Sequence, residues 1–275
     1  MRGPAVFKER VLRLCESTFR ALGLLERRCV ACGEPFEPEE RPDVPDVEAE
    51  LGRLFCPDCR VKLRRRTAGF CPYCGEPSLL EDAPCMPCER CLQKLPPWRD
   101  FLFFGLYDGL LRELMLRAKF RGSLATLDAL GRVLAAVCAE HYAVSVKPDV
   151  IVPMPLDNAR LRGRGFNQCR ELVRNVSSVL DIPVRTDILT KPLALTPQSL
   201  LNREQRSLMV QPFAARHRAD GLHVLLVDDI CTTGATLERA AECLLAAGAA
   251  RVDAAVPARA SRYVPHGTGR GPALP

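Results

Sequence analysis

The sequence contains no uninterrupted apolar run of the roughly 18 residues that a membrane-spanning helix needs. Even Leu110–Phe120 carries Arg112, Glu113, Arg117 and Lys119, so membrane insertion is excluded. The first 28 residues mix charge through their apolar positions and lack the unbroken apolar core of a secretory signal, which predicts a cytoplasmic protein. Histidine is scarce, with four in 275 residues and none before His141. Aromatic side chains are few, with one Trp and four Tyr, too sparse for the stacking platforms that hold single-stranded nucleic acid. Neither a P-loop nor a GxGxxG nucleotide turn occurs. No charge of one sign dominates: 39 basic against 33 acidic residues leave +6, which permits an anionic partner without demanding one.

Cysteine, by contrast, is abundant. Of 14 cysteines, nine lie between Cys29 and Cys91, while Cys15, Cys138, Cys169, Cys231 and Cys243 are scattered singly. Cytosolic thiols stay reduced, so clustered cysteines there read as metal ligands rather than disulfides. Cys29-x2-Cys32 with Cys56-x2-Cys59 forms one set, and Cys71-x2-Cys74 with Cys85-x2-Cys88-x2-Cys91 another. A two-residue gap lets two thiolates on one tight turn reach a tetrahedral ion, and two such turns complete four ligands. The second set has five cysteines for four places; Cys71, Cys74, Cys88 and Cys91 are favoured, with Cys85 spare or an alternative. With no histidine near, both sites read as structural zinc that stabilises a segment with little core of its own. A redox CxxC pair is the weaker account. Between the sets run Arg60, Lys62, Arg64, Arg65 and Arg66, a solvated charge run or a salt-sensitive phosphate-contacting edge.

At about 100–200 residues per domain the length fits two domains. Residues 1–28 have the apolar spacing of an amphipathic helix, with Phe7, Val11, Leu14, Thr18, Leu22 and Leu25 on one side. The cysteine module occupies 29–94, interrupted by Glu34–Glu50, whose eight acidic residues and four prolines predict a loop. Leu95–Asp100, LPPWRD, reads as a linker, and residues 101–260 form an α/β domain. There Gly109–Phe120, Ala125–His141, Phe166–Leu180 and Thr233–Ala247 are helical, while Asp149–Val152, Val184–Leu189, His223–Val227 and Val252–Val256 read as strands. Short apolar strands between helices predict a parallel sheet with helices on both faces. The Gly- and Pro-rich residues 261–275 are expected to be a disordered tail.

The most informative segment is His223–Ala240, HVLLVDDICTTGATLERA. An apolar strand ends in two carboxylates, and a Thr/Gly turn leads into a helix, at the strand edge where α/β proteins bind ligands. The turn opening a helix offers backbone N–H groups and the positive end of the helix dipole to a phosphate monoester. Thr232, Thr233 and Thr236 add hydroxyl donors, Gly234 lets the backbone come close, and Asp228 and Asp229 can accept hydrogen bonds from a sugar's vicinal hydroxyls. The pattern fits a ribose 5-phosphate.

VLLVDDICTTGAT resembles the phosphoribosyl pyrophosphate (PRPP) motif of type I phosphoribosyltransferases. Together with the paired CxxC knuckles, Tyr107–Gly122, Val152–Gln168 and Pro197–Arg206, the chain resembles the ComF (competence protein F-like) family over about residues 29–257. The resemblance implies a type I phosphoribosyltransferase-like sheet preceded by a double zinc ribbon, and binding of PRPP with Mg²⁺. It implies that Asp228 and Asp229 take the ribose hydroxyls at the catalytic centre and that Thr232, Thr233, Gly234, Ala235 and Thr236 hold the 5-phosphate. Pro153, Met154 and Pro155 would form the pyrophosphate-side loop, with Lys119, Arg121, Arg162 and Arg164 near the diphosphate; Arg160 shares the pattern. Gln198 and Arg203 fall in the segment where such folds bind their acceptor, which stays unidentified. A general base is not legible, His217 and His223 being candidates by residue type alone. One departure is SLMVQPF after Arg206, which lacks an Asn usual in the family. Three function classes follow: a phosphoribosyltransferase, a PRPP- or nucleotide-sensing module without turnover, and a protein handling single-stranded DNA in natural competence beside a helicase-like ATPase.

Overall fold

The computed structural model describes residues 27–39, 46–120, 122–156, 167–191 and 213–261. Residues 1–26 of the expected N-terminal amphipathic helix, Arg121, Arg160, Arg162, Arg164, Gln198, Arg203, Arg206 and the tail beyond 261 lie outside the described residues, and Arg27–Arg28, expected at that helix's end, are a strand.

The cysteine region is built twice on one plan. Strands β1 (Arg27–Arg28) and β2 (Pro35–Phe36) pair antiparallel around the first CxxC turn. Helices α1 (Val47–Leu54) and α2 (Pro57–Lys62) follow, and in the second half α3 (Glu89–Gln93) carries the last cysteine of the set, Cys91. In each half the first CxxC closes on a glycine of positive φ, Gly33 donating to Cys29 O at 2.9 Å and Gly75 to Cys71 O at 2.8 Å. The second CxxC of each half straddles a helix start: Cys56 caps the helix that carries Cys59, and Cys88 the one that carries Cys91. Glu34–Glu50 is not loop throughout. Asp46 accepts from Ala49 N at 2.9 Å, and Val47, Leu51 and Leu54 bury one face of α1, so capping and apolar spacing override the acidic composition.

The remaining elements alternate: β3 (Phe101–Leu106), α4 (Gly109–Phe120), α5 (Leu124–Tyr142), β4 (Val150–Pro153), α6 (Gln168–Leu180), β5 (Leu189–Thr190), β6 (Ala214–Ala215), β7 (His223–Val227), β8 (Ile230–Cys231), α7 (Ala235–Ala246) and β9 (Arg251–Arg259). The main sheet runs β3-β9-β7-β4, with β8 also pairing β9, and every pairing is parallel. Four details differ from expectation. Phe101–Leu106 is a strand. The last strand extends on to Arg259, because β3 and β8 flank it along that length. Val184–Leu189 contributes one bridge, Val184 to Ile151, and the two-residue β5, which pairs β6; Pro183 has no N–H to extend the ladder. Helix α7 starts at Ala235, one residue after Gly234 with φ 83°, a left-handed turn that cannot be helical.

Alternate strand residues feed two cores. Leu102, Phe104, Ile151, Leu225, Val227 and Ala255 face α5, α6, α1 and the first tetrad. Phe101, Phe103, Val152, Leu226, Ala254 and Val256 face α7, Trp98 and the second tetrad. The two cysteine halves thus sit on opposite faces of the sheet. Leu95–Asp100 joins this packing, with Trp98 buried, Arg99 N donating to Val252 O at 2.8 Å and Ala254 N to Asp100 O at 2.9 Å. Only glycine fits at 75, where a Cβ would fall 2.6 Å from the Phe101 ring.

Candidate functional site

The carboxyl ends of β4 and β7 meet at the start of α6. Met154 N donates to Val227 O at 2.8 Å. Asn167 caps α6 by accepting from Cys169 N at 2.9 Å, and its Nδ2 donates to Met154 O at 3.2 Å. One turn of helix therefore fixes the Met154 backbone beside Asp228. The Asp228 carboxylate accepts from Asp229 N at 2.8 Å and from the Cys169 thiol at 3.4 Å. Burial first, then the neighbouring charge of Asp229, pushes the Asp228 carboxyl up to about 7. Tyr107, directly after β3, is held above its ordinary value by burial, and the charge of Asp229 adds to this while Arg112 opposes it. Tyr107 was given no role from sequence; its position one residue past a strand at this edge was the available signal.

Beyond Asp229 the chain pairs with β9 at Ile230 and Cys231, then turns through Thr232, Thr233 and Gly234 into α7. Thr232, Thr233 and Thr236 are exposed. Gly234 stands at the N-cap of α7, and the Thr233 hydroxyl accepts from Ala235 N at 3.3 Å. The structure therefore brings Asp228, Asp229, Pro153 and Met154 to one edge, with the 232–236 turn leading from it. Pro155 follows them, half-buried. Lys119 lies in the last turn of α4, its ammonium 5.8 Å from the Phe120 ring centroid. Arg121, Arg162 and Arg164 lie outside the described residues.

Neither described histidine named as a candidate base reaches this edge through a described contact. His223 opens β7 at its amino end, five residues before Asp228 and so about 16 Å away along an extended strand. Its Nε2 lies 2.7 Å from the buried carboxylate of Asp253. His217 is exposed, with Nε2 3.8 Å from Asp187.

The cysteines group as Cys29, Cys32, Cys56, Cys59 and as Cys71, Cys74, Cys88, Cys91, each with its four sulfurs within 4.8 Å of one another. Thiolates at about 2.3 Å from a tetrahedral ion would be roughly 3.8 Å apart, and Cys32 to Cys56 and Cys74 to Cys88 each measure 3.7 Å. The spacing fits zinc and is far too long for a disulfide. Hydrogen bonding from Cys74 holds the Cys71 thiol down at about 4, while that contact and burial push Cys74 up. Four thiols packed this closely cannot all ionise without mutual repulsion, and a cation would relieve that. Cys85 is exposed and outside both groups.

The basic run between the tetrads is mostly spoken for by neighbouring acids. Arg60 pairs with Glu39, Arg65 with Glu140 at 2.5 Å and Arg66 with Glu81 at 3.4 Å. Lys62 and Arg64 are exposed, the latter 3.8 Å from Glu81. No described helix is long and apolar enough to cross a membrane.

A family model described as a phosphoribosyl transferase domain matches residues 167–269. The chain is 34% identical over 201 residues to the DNA utilization protein YhgH of Salmonella typhi, covering 72% of this chain and 87% of that protein. It is 33% identical over 205 residues to the competence protein ComFC of Bacillus subtilis, covering 71% and 79%. With the competence protein F of Haemophilus influenzae the identity is 29% over 205 residues, covering 69% and 90%.

Proposed function

The chain belongs to the ComF family, and from that premise we propose that it binds PRPP with Mg²⁺ at the turn that follows Asp228 and Asp229. The observation that carries this reading is the run of two carboxylates at the end of buried β7, followed by a turn with left-handed Gly234 that opens α7. Asp228 and Asp229 accept the ribose hydroxyls, and the backbone N–H groups and hydroxyls of 232–236 take the 5-phosphate. The Met154 backbone, held by Asn167, borders the pyrophosphate, with Lys119, Arg121, Arg162 and Arg164 as its cationic partners. Mg²⁺ suits such a site because it keeps waters and binds chiefly through substrate phosphates, with one or two carboxylates as its protein contribution. In this setting pyrophosphate leaves C1 as an acceptor attacks. Two structural zinc ions, one per tetrad, complete the chain.

The names of its relatives, competence protein and DNA utilization protein, put the cellular role on the side of DNA uptake. Neutralisation of Arg60, Arg65 and Arg66 by nearby acids weakens the case for the basic run as a DNA-binding edge. Calorimetric titration with PRPP and Mg²⁺ tests the reading. Replacing both aspartates with Asn should remove binding and leave the fold intact, and unchanged affinity would sink the assignment. Pyrophosphate release then identifies the acceptor by screening.

A further inference from the structure

Three side chains tie the second cysteine tetrad to the candidate phosphate turn. Arg90, between Cys88 and Cys91, donates from Nη1 to Thr233 O at 2.8 Å, and its other amino group pairs with Glu238 in the first turn of α7. Arg259, the last residue of β9, is fully buried. Its Nε donates to Cys74 O at 2.9 Å and its Nη2 meets Glu76 at 2.5 Å, while Nη1 donates to Cys231 O at 3.2 Å and to Thr232 O. Trp98 donates from Nε1 to Tyr73 O at 2.7 Å, and its Cη2 lies 3.7 Å from where a Cβ on Gly234 would stand. Tyr73 lies between Cys71 and Cys74, and Glu76 is two residues past Cys74. The first tetrad faces elsewhere: Val30 N donates to Leu54 O at 3.0 Å and Arg117 to Ala31 O at 2.5 Å, on the other side of the sheet.

The carbonyls held are consecutive, Cys231, Thr232 and Thr233. A trans peptide points its N–H opposite its C=O, so two guanidinium groups that draw the carbonyls of 232 and 233 to one side turn the N–H groups of 233 and 234 to the other. Gly234 gives this turn its left-handed bend and also leaves it free to relax, so ordering it costs binding free energy unless something else has already done so.

We propose that Arg90 and Arg259 are positioning residues for the phosphate turn, and that metal in the second tetrad, by fixing the turns that present Arg90, Glu76 and Tyr73, controls the turn's affinity for a phosphate monoester. The first tetrad has no such effect. The proposal rests on the reading that residues 232–236 hold phosphate.

The test uses the full chain with ribose 5-phosphate as probe. Four quantities are followed: metal content, affinity, hydrogen exchange of the 231–236 amides, and fluorescence of Trp98, the single tryptophan. Arg90→Met, at a partly exposed site, should keep both metals and the fold, weaken binding about tenfold, as loss of a charge-assisted hydrogen bond does, and speed exchange of the turn. Arg90→Lys should recover part of both effects. Cys88→Ser, which breaks the second tetrad, should reproduce them and shift Trp98 emission. Arg28→Met, which removes a 3.1 Å bond to Gly33 O in the first half, should change neither affinity nor exchange. Parent-like affinity and exchange in both Arg90→Met and Cys88→Ser would overturn the proposal. If the parent chain binds no ribose 5-phosphate, the phosphate reading falls and exchange alone decides the coupling: faster exchange in the two variants upholds it, and unchanged exchange sinks it.

Discussion

The thiol of Cys169 donates to the carboxylate of Asp228 across 3.4 Å, linking the first turn of α6 to the end of β7. Burial and the charge of Asp229 raise the Asp228 carboxyl from 3.8 to about 7, against the pull of this thiol and of Asp229 N. A raised carboxyl binds its proton more tightly in the folded chain than in the unfolded one. Its contribution to stability is therefore full below about 3.8 and is lost as pH rises towards about 7. The proposed PRPP binding would have the opposite sign, since the carboxylate must be ionised to accept sugar hydroxyls. Affinity for PRPP with Mg²⁺ should climb about tenfold per unit up to neutrality and level off above it. Cys169→Ala removes one of the bonds favouring the charged form and should move the midpoint upward. Calorimetry between pH 6 and 8 reads both effects, and a flat profile in the parent chain contradicts them.

At the opposite edge of the sheet, Asp253 is fully buried and accepts from Tyr142 at 2.9 Å, His223 at 2.7 Å, Arg251 at 3.0 Å and Asp100 N at 3.2 Å. Removing one partner of a buried charge pair costs about 3–5 kcal/mol. Asp253→Ala should lower the urea midpoint accordingly, while the folded protein keeps parent-like PRPP affinity because the network lies a strand's length from Asp228. Weakened affinity with intact stability would place this cluster in the binding site instead.

What could be read from sequence was local. The CxxC spacings, the helical periodicity of Phe166–Leu180 and the strand–turn–helix at His223–Ala240 each lie within a few turns of chain, where periodicity and turn chemistry report directly. Long-range relationships left no local trace. Arg259 sits at the end of the last strand, and nothing near it in sequence points to Glu76 or Cys74, which it reaches across the whole domain. Pro96 and Pro97 make Leu95–Asp100 look like a linker, yet Trp98 is buried because Tyr73 and Gly234 surround it. The alternating faces of Phe101–Leu106 were hidden for a related reason: both faces are apolar, since a cysteine half covers each side.

Gly234 isolates the conformational demand of the turn. Its φ of 83° is left-handed, and a Cβ there would meet only ordinary contacts at 3.6 Å or more, to Glu238, Trp98 and Arg90. Gly234→Ala should thus cost about 1–2 kcal/mol from backbone strain rather than from a clash. Gly234→Asn should cost less, because Asn tolerates this region better. Urea unfolding measures the difference; equal costs for the two would mean that packing, not φ, selects glycine.

Metal content separates the roles of the nine clustered cysteines. The sulfur spacing of 3.7 Å in both tetrads predicts two zinc ions per chain. Cys85→Ser should retain both, since Cys85 is exposed and outside the second group, whereas Cys88→Ser and Cys56→Ser should each retain one. The two losses should differ in consequence. The first tetrad shares a core with α1 and α5, so Cys56→Ser should lower the unfolding midpoint with the 232–236 turn unaffected in the folded protein. The second shares its core with Trp98 and α7, so Cys88→Ser should disturb Trp98 emission as well. Two ions retained after Cys88→Ser, together with loss of one after Cys85→Ser, would hand the fourth place to Cys85 and require the loop between residues 77 and 88 to close differently on the sheet.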